Sequence, residues 1–276
     1  MIGQERFKEK MKGLIEKGNL PRFMIIFGQK GQGKKTAAKW IAEQLGNDFQ
    51  TYMLPDVKID TVREMIDMCY TQKKPTFVII PDVDTMSVAG KNALLKVAEE
   101  PPNNTYLLMT MEDLNNTLDT IRSRASIYYM DSYKPCELEE FFKQQVTKYS
   151  ENQLDLITKL AINPGTVELL INSDVEKFYE YTEKVVDNIA KVSGANAFKI
   201  ADKVAIKEDG DGYDLKMFFH MFNQVCLDRM LKGDENDKWA EGIQVTCDAL
   251  NKLGIRGVNK QYIIDKWILE VRRAWM

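Results

Sequence analysis

The stretch that most constrains this chain is Gly28-Gln-Lys-Gly-Gln-Gly-Lys-Lys35, a glycine-rich phosphate loop between an apolar run, Phe23-Met-Ile-Ile-Phe27, and a helical pattern, Thr36–Leu45. A strand feeding a helix through such a loop aims backbone N–H groups and a helix N-terminus at one point, which suits a phosphate. Gly28, Gly31, Gly33 and Lys34 keep the pattern, but Lys35 stands where a Ser or Thr hydroxyl would hold Mg²⁺. Thr36 carries a hydroxyl one residue late, turned about 100° around the helix. The chemistry of the site is therefore expected to be altered.

The first half alternates strand and helix patterns. Helices are expected over Gln4–Lys17, Lys34–Leu45 and Ser87–Glu99, the last stopped by Pro101-Pro102. Strands are expected at Arg22–Phe27, Gln50–Leu54, Thr76–Ile80, Thr105–Thr110 and Ser126–Met130. Asp60 is expected to cap a helix with Val62, Met65, Ile66 and Cys69 on one face. This alternation predicts a parallel sheet covered by helices, with the phosphate loop at the carboxyl end of a strand.

The second half reads as helical. Pro135 starts a helix with Leu138, Phe141 and Phe142 on one face, and after Asn163-Pro-Gly165 two further stripes stand out. They are Phe219, Phe222, Cys226 and Met230, then Ile264, Trp267, Ile268, Val271 and Trp275. A loop, Glu208–Asp214, separates two helical segments. The 276 residues are expected to form three domains, 1–131, 132–172 and 173–276.

A net charge of -3 and a pI near 5.5 argue against a chain that coats nucleic acid by itself. Residues 1–40 are locally basic, with 10 Lys/Arg against 3 Glu, a pattern that usually marks a solvated amphipathic helix. Four scattered cysteines, Cys69, Cys136, Cys226 and Cys247, make neither a C-x-x-C pair nor a zinc module, which fits a reducing cytoplasm. No signal segment or membrane-length apolar run is present in the sequence. His220 reads as a helix-packing residue, and Asp209-Gly-Asp-Gly-Tyr-Asp214 fails as a calcium loop because glycine and glutamate are missing where that loop needs them.

Three segments together resemble the AAA+ clamp-loader subunits of bacterial DNA polymerase III: Met1-Ile-Gly-Gln-Glu5 with the phosphate loop, Asn92-Ala-Leu-Leu-Lys-Val-Ala-Glu-Glu-Pro-Pro102, and Thr120-Ile-Arg-Ser-Arg124. The resemblance implies a RecA-like AAA+ α/β domain followed by a small helical lid and an all-α collar. Where the family's ATPase subunits carry Asp-Glu-Ala-Asp, this chain has Pro81-Asp82-Val83-Asp84, and Pro81 has no carboxylate for a metal. No lid arginine lies between Ala161 and Ile171, and the family's zinc cysteines are missing between Asn47 and Val57. Thr110 sits where the family has a polar nucleotide sensor, although a strand-terminal threonine needs no such role.

Arg124 matches the family's arginine finger, pointed at a neighbour's nucleotide. A subunit with that arginine and a degenerate site resembles the delta-prime stator. The expectation is then no intrinsic ATPase, no zinc, and a phosphate loop that is either an empty relic with a solvated Lys34 or a weak site for ATP or ADP without Mg²⁺. The implied partners are gamma/tau-type ATPase subunits, a delta-type subunit, the sliding clamp and primer-template DNA. Two rival readings are an active gamma-type ATPase in which Asp82 and Thr36 substitute for the missing ligands, and a nucleotide-independent scaffold of a phage or mobile element.

Overall fold

The computed structural model describes residues 1–114, 117–192, 196–197, 199, 215–233, 236–255 and 257–276. The loop Glu208–Asp214 and the calcium-like pattern within it lie outside the described residues. The chain divides into two compact units, one of Met1–Glu137 with Asn163–Gly165, the other of Leu138–Ile162 with Thr166–Met276.

In the first unit, five parallel strands run β1 (Phe23–Phe27), β2 (Gln50–Met53), β3 (Thr76–Ile80), β4 (Thr105–Met111) and β5 (Ser126–Tyr129), ordered β2-β3-β4-β1-β5. Helices α1 (Glu5–Glu16), α2 (Lys34–Leu45), α3 (Ile59–Thr71), α4 (Val88–Glu99) and the single turn α5 (Asp119–Arg122) connect or flank them. Successive strand side chains point to opposite faces, and the sequence has apolar residues at nearly every position. Phe23 and Ile25, with Val78, Ile80, Leu107 and Met109, therefore pack against Val62, Met65 and Cys69 of α3 and Leu94 and Val97 of α4. Met24 and Ile26, with Phe77, Ile79 and Leu108, pack against Phe7 and Met11 of α1 and Ala37, Ala38 and Ile41 of α2. A sheet covered on both faces needs such continuous apolar runs.

Three local expectations change. Lys58, not Asp60, is the N-cap of α3; Asp60 lies in the first turn, where its charge favours the helix dipole. The entry to α3 is held instead by Asp56, which accepts from Lys58 N (3.0 Å) and Thr61 Oγ1 (2.7 Å). The turn α5 was not expected, being too short to show a period. Ser87, expected as the first helical residue, is instead the N-cap of α4 and accepts from Gly90 N at 3.2 Å.

The second unit is helical, with its longest helices at Val175–Ile189, Leu215–Leu231, Asn236–Leu253 and Lys260–Trp275. Both anticipated stripes point inward, although Met230 is only partly buried. Phe218, Phe219 and Phe222 surround Trp267, whose Nε1 donates to Thr246 Oγ1 at 2.8 Å. Gly242 leaves room for the Trp275 ring, 2.6 Å from where a Cβ would stand. His220 is half-buried within the Leu215–Leu231 helix. No helix among the described residues is long and apolar enough to cross a membrane.

Candidate functional site

The loop from β1 to α2 emerges at the carboxyl edge of the sheet, and β3 and β4 end beside it. Gly31 (φ +78°) and Gly33 (φ +86°) adopt left-handed backbone, which glycine enters without a Cβ penalty. A Cβ at Gly31 would also stand 2.7 Å from Asn163 Oδ1 and 2.9 Å from Gly165 Cα. The Asn163–Gly165 segment lies directly on the loop: Gly165 N donates to Gly31 O (2.8 Å) and Asn163 Nδ2 to Lys30 O (3.0 Å).

Lys34 opens α2 and is 5% exposed. Its Nζ donates to Gly28 O (2.9 Å) and Gln29 O (2.8 Å) and pairs with Glu112 Oε1 at 3.2 Å. Three acceptors match the three donors of an ammonium, which is how this charge is tolerated indoors. Lys34 is thus bound to its own loop rather than solvated. Gln32, buried at 7% exposure, accepts from Gln29 N at 2.7 Å and donates to Asp131 O at 2.8 Å. Its side chain thus caps one backbone donor of the phosphate loop. Tyr133 OH donates to Gln32 O (3.1 Å), and Gln4, itself at φ +59°, exchanges two hydrogen bonds with the Asp131 backbone.

The acidic motif meets the loop through Lys35. Lys35 Nζ lies 2.6 Å from Asp82 Oδ2, with both side chains substantially exposed. Asp82, like Gln4, has positive φ (+52°), and its N–H donates to Thr110 Oγ1 at 3.1 Å, so the buried Thr110 ties β4 to the turn after β3. Pro81 is buried at the end of β3. Asp84 Oδ2 accepts from Glu112 N at 3.2 Å, while its buried Oδ1 has no partner among the described residues. Thr36 is exposed on α2.

These donors do not fit a divalent ion. Mg²⁺ demands six oxygens in near-ideal octahedral geometry, but the position of the usual hydroxyl carries an ammonium, and that ammonium holds the neighbouring carboxylate. The left-handed glycines, by contrast, retain the concave backbone that suits an anion.

Arg124 is elsewhere. It precedes β5, whose Ser126 pairs with Met24 and whose Tyr129 pairs with Phe27, so it lies at the amino edge of the sheet. At about 3.3 Å per strand residue, the phosphate loop is on the order of 15 Å or more away, beyond the reach of an arginine side chain. Arg124 Nη1 donates to Thr120 O (2.9 Å) and Nη2 pairs with Glu99 Oε1 (3.0 Å). The sequence thus marks two separate places, one on each edge of the sheet. Gln4, Gln32, Glu112, Asn163 and Glu99 were not singled out as site residues, although Gln4, Gln32 and Glu99 fall within the motif segments and Asn163 opens Asn163-Pro-Gly165; Glu112 carried no local signal.

Residues 47–134 match the family model described as DNA polymerase III, delta subunit. A DNA polymerase III subunit delta' of Yersinia pestis is 32% identical over 114 residues, covering 37% of this chain and 34% of the relative. A DNA polymerase III subunit gamma of Buchnera aphidicola subsp. Schizaphis graminum is 25% identical over 193 residues, covering 58% of this chain and 53% of the relative. The chain thus spans about a third to a half of the length of these curated relatives. Among solved structures, the Thermotoga maritima RuvB Holliday junction branch migration motor superposes with a TM-score of 0.51 at 17% identity, covering 99% of this chain and 87% of that chain. That likeness concerns the fold alone, which is AAA+ with a helical carboxyl-terminal region. The chain is thus similar in sequence to clamp-loader subunits of bacterial DNA polymerase III, as its motifs lead one to expect.

Proposed function

We propose that this chain is a delta-prime-like clamp-loader subunit, degenerate in its own ATPase site, that completes a ring able to place a sliding clamp on primed DNA in the cytoplasm. The observation that carries the reading is the Lys35–Asp82 pair, 2.6 Å apart, where an ATPase subunit would hold its metal. A gamma-type ATPase would need Asp82 free for metal or water, and here it faces an ammonium. ATP or ADP would bind weakly, through the backbone nest and without Mg²⁺. No zinc is called for by the cysteines.

Support for a role in trans comes from the position of Arg124 at the far edge of the sheet from its own phosphate loop. A guanidinium there acts on a phosphoryl group only if another subunit brings one. In this reading residues 132–172 form the lid and 173–276 the collar, where gamma/tau-type and delta-type subunits assemble with this chain. DNA contact arises in the assembled channel.

The test is reconstitution with the gamma/tau-type and delta-type subunits and a clamp. Arg124→Ala should leave the complex intact by gel filtration while slowing hydrolysis at the adjacent ATPase site, by about 10³-fold if the finger carries its usual share. Lysine should rescue poorly, since it lacks the planar fork. Unchanged hydrolysis in an intact complex would reduce Arg124 to a surface residue.

A further inference from the structure

We infer that Glu99 is the positioning residue for Arg124, holding its guanidinium ready for the neighbouring subunit; this rests on the reading of Arg124 as a residue that acts in trans. Glu99 is the last residue of α4, which ends before Pro101-Pro102. Its Oε1 lies 3.0 Å from Arg124 Nη2, and the Thr120 carbonyl accepts from Nη1 at 2.9 Å. Two anchors on different nitrogens fix the plane of the guanidinium. Both carboxylate and guanidinium stay near half exposed, at 49% and 40% for their side chains. Arginine has five N–H donors, so the remaining ones stay available to a phosphoryl oxygen.

Two effects of Glu99 oppose each other. An arginine that meets a ligand in another chain loses rotamer freedom on doing so, and anchors impose that loss before the encounter. The carboxylate also offsets part of the positive charge that the phosphoryl group would feel. Exposure decides between them, because solvent screens the charge term at an exposed pair while geometry is not screened. Orientation is therefore the net contribution, and an acceptor oxygen without charge should supply it equally well.

The experiment uses the reconstituted complex with the phosphate-loop lysine substituted in every ATPase subunit except the one next to Arg124, so that one site is read. Glu99→Ala should lower kcat about fivefold, a modest loss in keeping with an exposed pair, with the KM for ATP unchanged. Glu99→Gln keeps the acceptor and should restore the wild-type rate. Glu99→Ala combined with Arg124→Ala should be no slower than Arg124→Ala alone, because the first acts only through the second. Slow hydrolysis by Arg124→Ala with full activity in Glu99→Ala overturns the positioning role and leaves the finger standing. A silent Arg124→Ala overturns both. Faster hydrolysis in Glu99→Ala makes Glu99 a restraint and also overturns the inference. Equal slowing by Ala and Gln would point to charge, contrary to the argument.

Discussion

Lys35 and Asp82 come together at 2.6 Å from two different elements, the first turn of α2 and the turn that follows β3. With both side chains substantially exposed, the pair adds no more than about 1 kcal/mol to stability. Its consequence is chemical: a cation belonging to the protein occupies the neighbourhood in which a bound nucleotide would otherwise need a metal.

Nucleotide affinity should accordingly be weak and the same with or without Mg²⁺, and ATP turnover by the isolated chain should stay at background. Calorimetry in Mg²⁺ and in EDTA, beside a phosphate-release assay, checks both. A large gain with Mg²⁺, or turnover abolished by Lys34→Ala, would mean that Asp82 leaves Lys35 to serve a metal.

Lys34 holds its own loop together, so its removal should be felt without any nucleotide. Lys34→Ala leaves the Gly28 and Gln29 carbonyls without this donor, and the expected cost is about 1–3 kcal/mol by urea unfolding. An unchanged midpoint would show that the side chain is solvated in solution and that the bonds to the loop contribute nothing.

Gly165→Ala offers a cleaner test of the clamp on the phosphate loop. The new Cβ would run into the Gly31 backbone, which cannot give way as a side chain would. The variant should lose about 1–3 kcal/mol, as overpacked sites do. Gly254→Ala, whose Cβ would be no closer than 3.4 Å to another atom, serves as the control and should be milder. Equal stability of the two variants would argue against close packing of Gly165 on Gly31.

Thiol chemistry should separate the cysteines by burial. Burial pushes the Cys69 thiol up to about 11 and Cys226 to about 12, whereas Cys136 is exposed. Because a raised pKa keeps the thiol protonated, only about one part in 10³ of Cys69 is thiolate at pH 8, and access is blocked as well. Mass spectrometry after brief alkylation of native protein at pH 8 should find Cys136 modified, with Cys69 and Cys226 reacting only after unfolding. Modification of Cys69 at the rate of Cys136 would show that the α3 face of the sheet opens.

The strands, the central helix and the phosphate loop were legible because their signals are local. A run such as Phe23–Phe27 needs cover on both faces whatever its neighbours are, and glycines at 31 and 33 mark left-handed backbone. The single turn α5 escaped because four residues carry no period. Asp60 misled because a capping residue and a first-turn acid look alike in sequence and differ only in backbone angles.

By itself the sequence determined the strand-loop-helix order, the two inward stripes of the second unit and the residue types at the phosphate loop, since periodicity and backbone preference act over a few residues. It also determined what was missing, a hydroxyl at 35 and a carboxylate at 81. Only the tertiary structure decided which partners the residues around the loop take. Gln32 reaches Asp131 across 99 residues and Asn163 reaches Lys30 across 133, and no local rule selects such partners. Parallel strands bring remote segments to one edge of a sheet, and the same topology carries Arg124 to the other edge beside Glu99. Those partnerships follow from the packing of the whole unit because a side chain pairs with what the fold sets next to it, and neighbours in space here are seldom neighbours in the chain.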